Sequence, residues 1–432
     1  MAHPQVRLGI LGLGTVGQAL IALIDEQHGM ILERTGIDLI VTKVAVRDLN
    51  KQRSVDLAEG SLTTDGMEVV ESEYVDLVVE LVGGIEPTKT YITRALELGK
   101  PVVSANKELL AAHGAELFTA AADGIETSLL FEAAVAGGIP LMRALEQSLL
   151  GEPIERVMGI VNGTTNYILS QMSDHGASYA DALAEAQRLG FAEADPTADV
   201  DGHDAAAKAA IIATVGFGGS VTSSQVAVEG ISKITADDIE AARSMGYAIK
   251  LLAIVEHVGQ PGDLEVAVRV HPAMVPLNHP LASVRDSFNA VFIEGGAVGE
   301  LMLYGRGAGG RPTGSAVLGD VIEAAVGFVS GRAHARPSVG PATVRPLADL
   351  RSAFYVEVKV TDQPGVLATV AGVFGSNNVS IKSMEQRGSK ADAHLLFITH
   401  EASEGDLAAT LTKLAELEDV HNVGSPLRVI ES

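Results

Sequence analysis

The hexapeptide GLGTVG, residues 12–17, constrains this chain more than any other stretch. Gly12, Gly14 and Gly17 stand in G-x-G-x-x-G spacing between an apolar run, VRLGIL (6–11), and a helical pattern over 15–34. In that setting the first glycine permits a tight turn, the second lets the backbone approach a pyrophosphate, and the third lets helix and strand pack closely. The free N–H groups at the helix start, around Thr15 and Val16, then meet the phosphates at the positive end of the helix dipole. A glycine-rich turn without a ligand is the competing reading, and the strand–turn–helix context argues against it.

The alternation continues. DLIVTKVAV (38–46), DLVVELV (76–82), PVVSA (101–105) and TSLLFEAAV (127–135) read as further strands, with helical stretches such as 88–98 between most of them. Short β-branched runs separated by helices imply parallel strands joined by crossovers, an α/β fold of the doubly wound, Rossmann type. Residues 140–330 differ: RVMGIVNG, LEVAVRVHP and NAVFIEG read as strands among helices at 164–174, 178–189, 204–216 and 235–253. A glycine-rich turn, YGRGAGGRPTGSAV (304–317), leads into another helix, and RAHARPSVGPATVRPLADLRS reads as a linker. Beyond it a βαββαβ order in the last 80 or so residues predicts a ferredoxin-like module. The expected division is a nucleotide-binding domain over 1–135, completed by about 315–345, a mixed α/β catalytic and dimerisation domain over 136–314, and a C-terminal domain over 352–432.

The chain has 432 residues, enough for two or three domains with sizeable cores. No run reads as the ~18 to 20 apolar residues of a membrane span, and the start lacks a signal-peptide layout, so a cytoplasmic location is expected. A formal net charge of −24 with no basic run argues against nucleic acid. There are no cysteines, which removes disulfides, thiolate nucleophiles and cysteine metal sites together.

Several polar residues fall where a substrate could meet a nicotinamide. At the end of the second strand, Arg47 precedes Asp48. An acid there suits the ribose of NAD and a basic residue suits the extra phosphate of NADP, so Arg47 favours NADP with NAD still open. Lys107, in SANKELL, follows a parallel strand at the edge where open α/β sheets bind ligands. Glu132 precedes a small-residue loop whose carbonyls are free to coordinate a cation or cap a helix. In DGHDAAAKAAIIATVG, Asp204 and Lys208 share one helix face four residues apart, a pair worth only about 0.3 to 0.5 kcal/mol if exposed. That helix has no polar face, however, and a lysine on a buried helix needs partners or a wet cleft. His203 is a rival acid/base, and a zinc site from Asp199, Asp201 and His203 is disfavoured by having one histidine and no cysteine.

The stretch AQRLGFAEADPTADVDGHDAAAK, with Gly190, Asp195, Pro196, Asp199, Gly202, Asp204 and Lys208 in register, resembles the signature of homoserine dehydrogenases. The resemblance extends through GLGTVG, SANK, FEAAVAGGIP, VNGTTNYIL and YGRGAGGRPTGSAV, about residues 5–330, and DQPGVLATVAGVFGSNNVSI resembles an ACT domain. It implies reversible NAD(P)H-dependent reduction of L-aspartate 4-semialdehyde to L-homoserine, in threonine, methionine and isoleucine biosynthesis. By the same resemblance Lys208 is the proton donor, Lys107 a second catalytic lysine near nicotinamide and substrate, and Glu193, Asp199 and Asp204 line the substrate site. Gly305 approaches the nicotinamide end. Glu132, with the backbone oxygens of Val135, Gly137 and Ile139, resembles a monovalent-cation site, usually sodium. The ACT-like tail implies feedback by an amino acid, threonine above all, at loops containing Asp362, Gly365 and Asn378, and a homodimer or homotetramer. His203 is a variable position of that signature.

Physical chemistry supports the same roles. Hydride addition to an aldehyde develops alkoxide charge, which a fixed ammonium stabilises and can protonate. Homoserine oxidation is therefore expected to be faster at alkaline pH, where Lys208 can accept a proton. Aspartate semialdehyde dehydrogenase needs a cysteine and is excluded. Two alternatives stand: another ACT-linked NAD(P)-dependent hydroxyacid dehydrogenase using His203, and a non-catalytic NADP-dependent sensor.

Overall fold

The computed structural model describes residues 3–123, 127–260, 262–332, 339–389 and 392–431. Its internal contacts divide the chain into two units, one of Met1–Gly163, Asp204–Val226 and Phe288–Thr343, the other of Thr164–His203, Ala227–Ser287 and Val344–Ser432.

In the first unit β1 (Gln5–Leu11) leads through α1 (Thr15–Thr35) to β2 (Asp38–Ala45), followed by β3 (Leu62–Thr63) and α2 (Gly66–Glu71). Then come β4 (Leu77–Glu80), α3 (Thr88–Glu97), β5 (Val102–Ser104), α4 (Lys107–Asp123) and β6 (Leu129–Leu130). The six strands form one sheet in the order β3-β2-β1-β4-β5-β6, with parallel pairings. This is the expected doubly wound layout. Its order reverses between β1 and β4, and ligands bind at such a switch point, beyond the carboxyl ends of the strands. β1 reads as a continuous apolar run because both faces are covered: Leu8, Ile10 and Leu11 are fully buried.

Three local expectations change. β3 and α2 are additions, the helix being started by Asp65, whose side chain accepts from the N–H groups of Met67 and Glu68. The stretch 127–135, expected as one strand, pairs only at Leu129–Leu130 and then turns into a 3-10 helix at Glu132–Ala134. There the Glu132 N–H donates to Asp320 Oδ2 (2.8 Å) instead of to a ladder. The helix Gly310–Ser330 is the one described helix with the length and apolarity of a membrane span, which the run-by-run reading did not show. In this fold it completes the nucleotide-binding core, where Val317, Leu318, Val321, Ala324 and Ala325 join Leu8, Ile10, Leu20 and Leu77. Gly310 and Gly314 bring it so close to α1 that a Cβ on either would stand 2.9 Å from Thr15 Cγ2 or 3.1 Å from Ala19 Cβ.

The first unit also holds an antiparallel ribbon in which Phe288–Gly295 pairs with Ile154–Ile160 on one side and Gly299–Arg306 on the other. The last strand takes the first three residues of what reads in sequence as a glycine turn.

In the second unit the expected helix over 235–253 stops at Ser244, and Tyr247–His257 becomes a strand antiparallel to Glu265–Pro276. Gly246, at φ +85°, turns the chain out of the helix, and the buried run that follows, with Ile249, Ile254 and Val255, pairs as a strand. The C-terminal module follows the expected βαββαβ order: Arg351–Val360, Val366–Ser376, Ile381–Ser389, Asp392–Thr399, Glu404–Ala415 and Leu427–Val429. Its core packs Phe374 on Phe397 at a 4.9 Å centroid distance. The final strand lies between Glu265–Pro276, which it pairs in parallel, and Arg351–Val360, which it pairs antiparallel. Buried Arg428 on that strand reaches Glu229 (2.9 Å) and Glu404 (2.9 Å).

Candidate active site

The site is built around one carboxylate in the first unit. Gly202, at φ +86°, turns the chain into the helix His203–Phe217, and Asp204 occupies its first turn, where an acid suits the helix dipole. Lys208 follows one turn later on the same face. Both side chains are nearly inaccessible, at 8% and 11% exposure, so the pair is not the surface ion pair its spacing alone permits. Lys208 Nζ stands 2.6 Å from Asp204 Oδ2 and donates also to the Val161 carbonyl at 2.6 Å. Lys107 Nζ, from the start of α4, stands 2.7 Å from Asp204 Oδ1. Asn162 Nδ2 donates to Oδ2 at 3.0 Å. Burial alone would raise the Asp204 pKa, but the ammonium groups of Lys208 and Lys107 hold it far below the usual carboxylate range. Asp204 is therefore ionised throughout the neutral range, and the stability it adds is lost only as pH falls well below about 4.

Local chemistry fixes Lys107. The Asn106 Oδ1 accepts from the Leu109 N–H (3.1 Å), starting α4, while the Asn106 N–H donates to Ser104 Oγ (3.1 Å) at the carboxyl end of β5. Ser104 Oγ in turn donates to Glu80 Oε2 (2.7 Å) at the end of β4. Glu80, fully buried, also accepts from the N–H groups of Val82 and Gly83 (2.8 and 3.0 Å), and burial raises its pKa. Glu80 is not among the residues expected from the sequence, although an acid closing a fully apolar strand is a visible signal. Glu80, Asn106, Lys107, Lys208, Gly307 and Ala308 are among the residues around a cavity of about 300 Å³.

A second cavity, about 460 Å³, is lined by Gly12, Gly14, Arg47, Asp48, Lys51 and Arg53 among others. Its floor fits a dinucleotide. A Cβ on Gly12 would stand 2.7 Å from the Leu81 carbonyl oxygen and one on Gly17 2.5 Å from the Gly12 oxygen, whereas nothing lies within 4 Å of one on Gly14. The first and third glycines thus serve close packing, and the second leaves the turn open to a ligand. Val16 lines the 300 Å³ cavity that Lys107 and Lys208 border, and Thr15 packs against Gly310. Lys51 and Arg53 were not singled out in the sequence, though they follow Arg47 within six residues.

The remaining expected residues fall as follows. Both Glu132 carboxylate oxygens accept backbone N–H groups, from Met142 (2.8 Å) and Arg143 (2.9 Å), so the residue caps the short helix Leu141–Arg143. Ala136 and Gly137 are both left-handed, at φ +55° and +54°, and the Ile139 carbonyl accepts from Leu141. Burial raises the Glu132 pKa, and burial with Glu132 nearby pushes Asp320 up to about 7. Gly305 belongs to the strand Gly299–Arg306, opposite Asn289, while Gly307 and Ala308 form the cavity wall. Glu193 and Asp199 lie in the second unit: Glu193 is exposed and its carbonyl accepts from Gln187 Nε2, and Asp199 is half-buried on the helix Thr197–Val200. His203 is exposed. In the C-terminal module Gly365 (φ +99°) starts the helix Val366–Ser376, Asn378 is left-handed (φ +58°), and Asp362 Oδ1 accepts from Gln386 Nε2.

A glycine turn at the switch point of a parallel sheet, with a lysine–carboxylate–lysine cluster beside it, defines a nicotinamide-dependent dehydrogenase that handles a carbonyl and its alcohol. Comparison with known proteins agrees: residues 140–322 match the homoserine dehydrogenase model, 12–130 the homoserine dehydrogenase NAD-binding domain and 354–419 the ACT domain. The chain belongs to the homoserine dehydrogenase family. It is 47% identical to homoserine dehydrogenase of Corynebacterium glutamicum over 98% of this chain and 95% of that protein. A crystal structure of a homoserine dehydrogenase from Thiobacillus denitrificans superposes with a TM-score of 0.92 at 37% identity, over 99% of this chain and 98% of that one. A hyperthermophilic archaeal homoserine dehydrogenase solved in complex with NADPH matches at a TM-score of 0.61 and 29% identity, covering 74% of this chain and 97% of that one.

The glycines separate packing from binding in a testable way. Gly17→Ala is expected to lower the thermal midpoint, its methyl overpacking a backbone oxygen at a cost of about 1–3 kcal/mol. Gly14→Ala is expected to keep the wild-type midpoint and weaken dinucleotide binding. Thermal melts and dinucleotide titrations of the two variants check this; equal effects on both readouts would contradict it.

Proposed function

We propose that this chain reduces L-aspartate 4-semialdehyde to L-homoserine with NAD(P)H, reversibly, and that Lys208 moves the proton. The observation that carries the reading is the pair of ammonium groups held on Asp204 at the carboxyl edge of the parallel sheet. The nicotinamide, when bound, supplies or removes the hydride at the substrate carbon. Lys208 Nζ gives a proton to the carbonyl oxygen as the C–H bond forms, and its neutral amine takes the hydroxyl proton in the reverse direction. Lys107 places a second positive charge where the alkoxide develops. Asp204, anchored by Asn162, fixes both lysines rather than titrating itself. Glu193 and Asp199 are assigned to the substrate ammonium on the strength of the resemblance. The exposure of His203 disfavours the hydroxyacid-dehydrogenase alternative that depends on it.

Arg47, Lys51 and Arg53 together surround the nucleotide cavity with positive charge, which supports NADP over NAD. Sodium is assigned to the loop of Glu132, Val135, Gly137 and Ile139; the two consecutive left-handed residues and the remaining lone pairs of the Glu132 carboxylate support it. Threonine is assigned to the ACT domain at Asp362, Gly365 and Asn378, with a homodimer or homotetramer as the assembly and the cytoplasm as its location.

Lys208→Ala is expected to lower kcat for homoserine oxidation at least about 100-fold while leaving NADPH binding measurable. Wild-type oxidation should quicken toward alkaline pH. Near-wild-type turnover by the variant would refute the assignment, and no turnover of homoserine by the wild type would favour a non-catalytic sensor. Arg47→Ala is expected to weaken NADPH more than NADH in parallel titrations; an unchanged preference would remove Arg47 from the phosphate site. Replacing sodium by choline should lower activity or thermal stability, and adding threonine should lower activity and raise the melting temperature. No response to either exchange would contradict the cation and effector assignments respectively.

A further inference from the structure

One buried polar side chain near the catalytic cavity has no part in the chemistry above. Asn289, on Phe288–Gly295, is 1% exposed, and neither its Oδ1 nor its Nδ2 has a hydrogen-bond partner in the protein. Buried amides are nearly always paired, so such a group calls for an explanation.

Its surroundings supply one. A Cβ on Gly307 would stand 2.0 Å from Asn289 Nδ2, so the amide packs directly on the Gly307 backbone. On another side the same residue is gripped by the 136–139 turn: a Cβ on Gly137 would stand 2.2 Å from the Gly307 carbonyl oxygen, and the Gly138 N–H donates to the Arg306 carbonyl at 3.0 Å. Arg306–Ala308 thus passes between Asn289 and that turn, and Gly307 and Ala308 face the cavity holding Lys107 and Lys208. Between the strand that ends at Arg306 and the helix that starts at Gly310, Gly307 and Gly309 carry no side chain, and Gly309 sits at φ +126°, a conformation only glycine adopts readily.

We propose that Asn289 is a positioning residue for the nicotinamide end of the cofactor, its amide pairing with a peptide of Arg306–Ala308 when that loop closes on the dinucleotide. The inference rests on the nicotinamide reading of the cavity. The unpaired amide disfavours the arrangement described here, and pairing favours the closed one. The differential between the two arrangements is what binding draws on.

Because the two arrangements use the amide differently, the test reads opposite signs. The nearly isosteric Asn289→Leu is expected to keep or raise the thermal midpoint measured without cofactor. It should also weaken NADPH binding, followed by nicotinamide fluorescence, by about 3- to 10-fold, the loss of one hydrogen bond, and shrink the cofactor-induced rise in melting temperature. Asn289→Ala, which leaves room for a water, carries the affinity arm if the leucine variant does not fold. A lowered midpoint with unchanged NADPH affinity would overturn the proposal and make Asn289 a core residue satisfied by buried water. Equal binding by variant and wild type overturns this inference alone, whereas failure of the wild type to bind NADPH or NADH overturns the nicotinamide reading and this inference with it.

Discussion

A single ionised carboxylate, Asp204, organises the polar cluster of the first unit. The ammonium groups of Lys208 and Lys107, the first buried and the second half exposed, stand 2.6 and 2.7 Å from its two oxygens and would repel one another without Asp204 between them. The carboxylate is affordable in turn only because it sits at a helix start, takes a hydrogen bond from Asn162 and faces both lysines. In the proposed reaction, the charge offered to an alkoxide is then fixed in place before substrate arrives, so little reorganisation is needed as it forms.

The nucleotide side follows a different rule, in which the important atoms are missing ones. Gly12, Gly17 and Gly310 allow approaches closer than 3.0 Å to where a Cβ would stand, and Gly314 one of 3.1 Å, bringing the starts of α1 and Gly310–Ser330 together. Gly14, by contrast, has no atom within 4 Å of where a Cβ would stand. Glu80, Ser104 and Asn106 then connect the ends of β4 and β5 by hydrogen bonds and set where Lys107 begins its helix. The ends of β4 and β5 thus place Lys107, the helix His203–Phe217 carries Asp204 and Lys208, and the segment after β2 carries Arg47, Lys51 and Arg53.

Much of this was legible in the sequence where local chemistry and tertiary packing agree. The glycine spacing, the alternation of buried runs with helices, and a lysine on a helix without a polar face pointed to the nucleotide fold and to Lys208, Lys107 and Asp204. Legibility failed where a distant partner decides. Residues 127–135 look like a strand until Asp320, almost two hundred residues on, takes the Glu132 N–H. The helix expected over 235–253 ends at Ser244 because its second half finds a strand partner in Glu265–Pro276. Glu80 reads as an oddity at a strand end, and its hydrogen bonds to Val82, Gly83 and Ser104 come only from the fold. The same holds for Asn289, an ordinary strand residue until Gly307 is seen lying on it.

The most direct test of the central role of Asp204 is the pH profile of homoserine oxidation by wild type and Asp204→Asn. Removing the negative charge makes loss of a proton from the lysine cluster easier. The rise in activity toward alkaline pH is therefore predicted to begin at lower pH in the variant than in wild type. A rise at the same pH in both proteins would show that Asp204 does not control the proton on which the reaction turns.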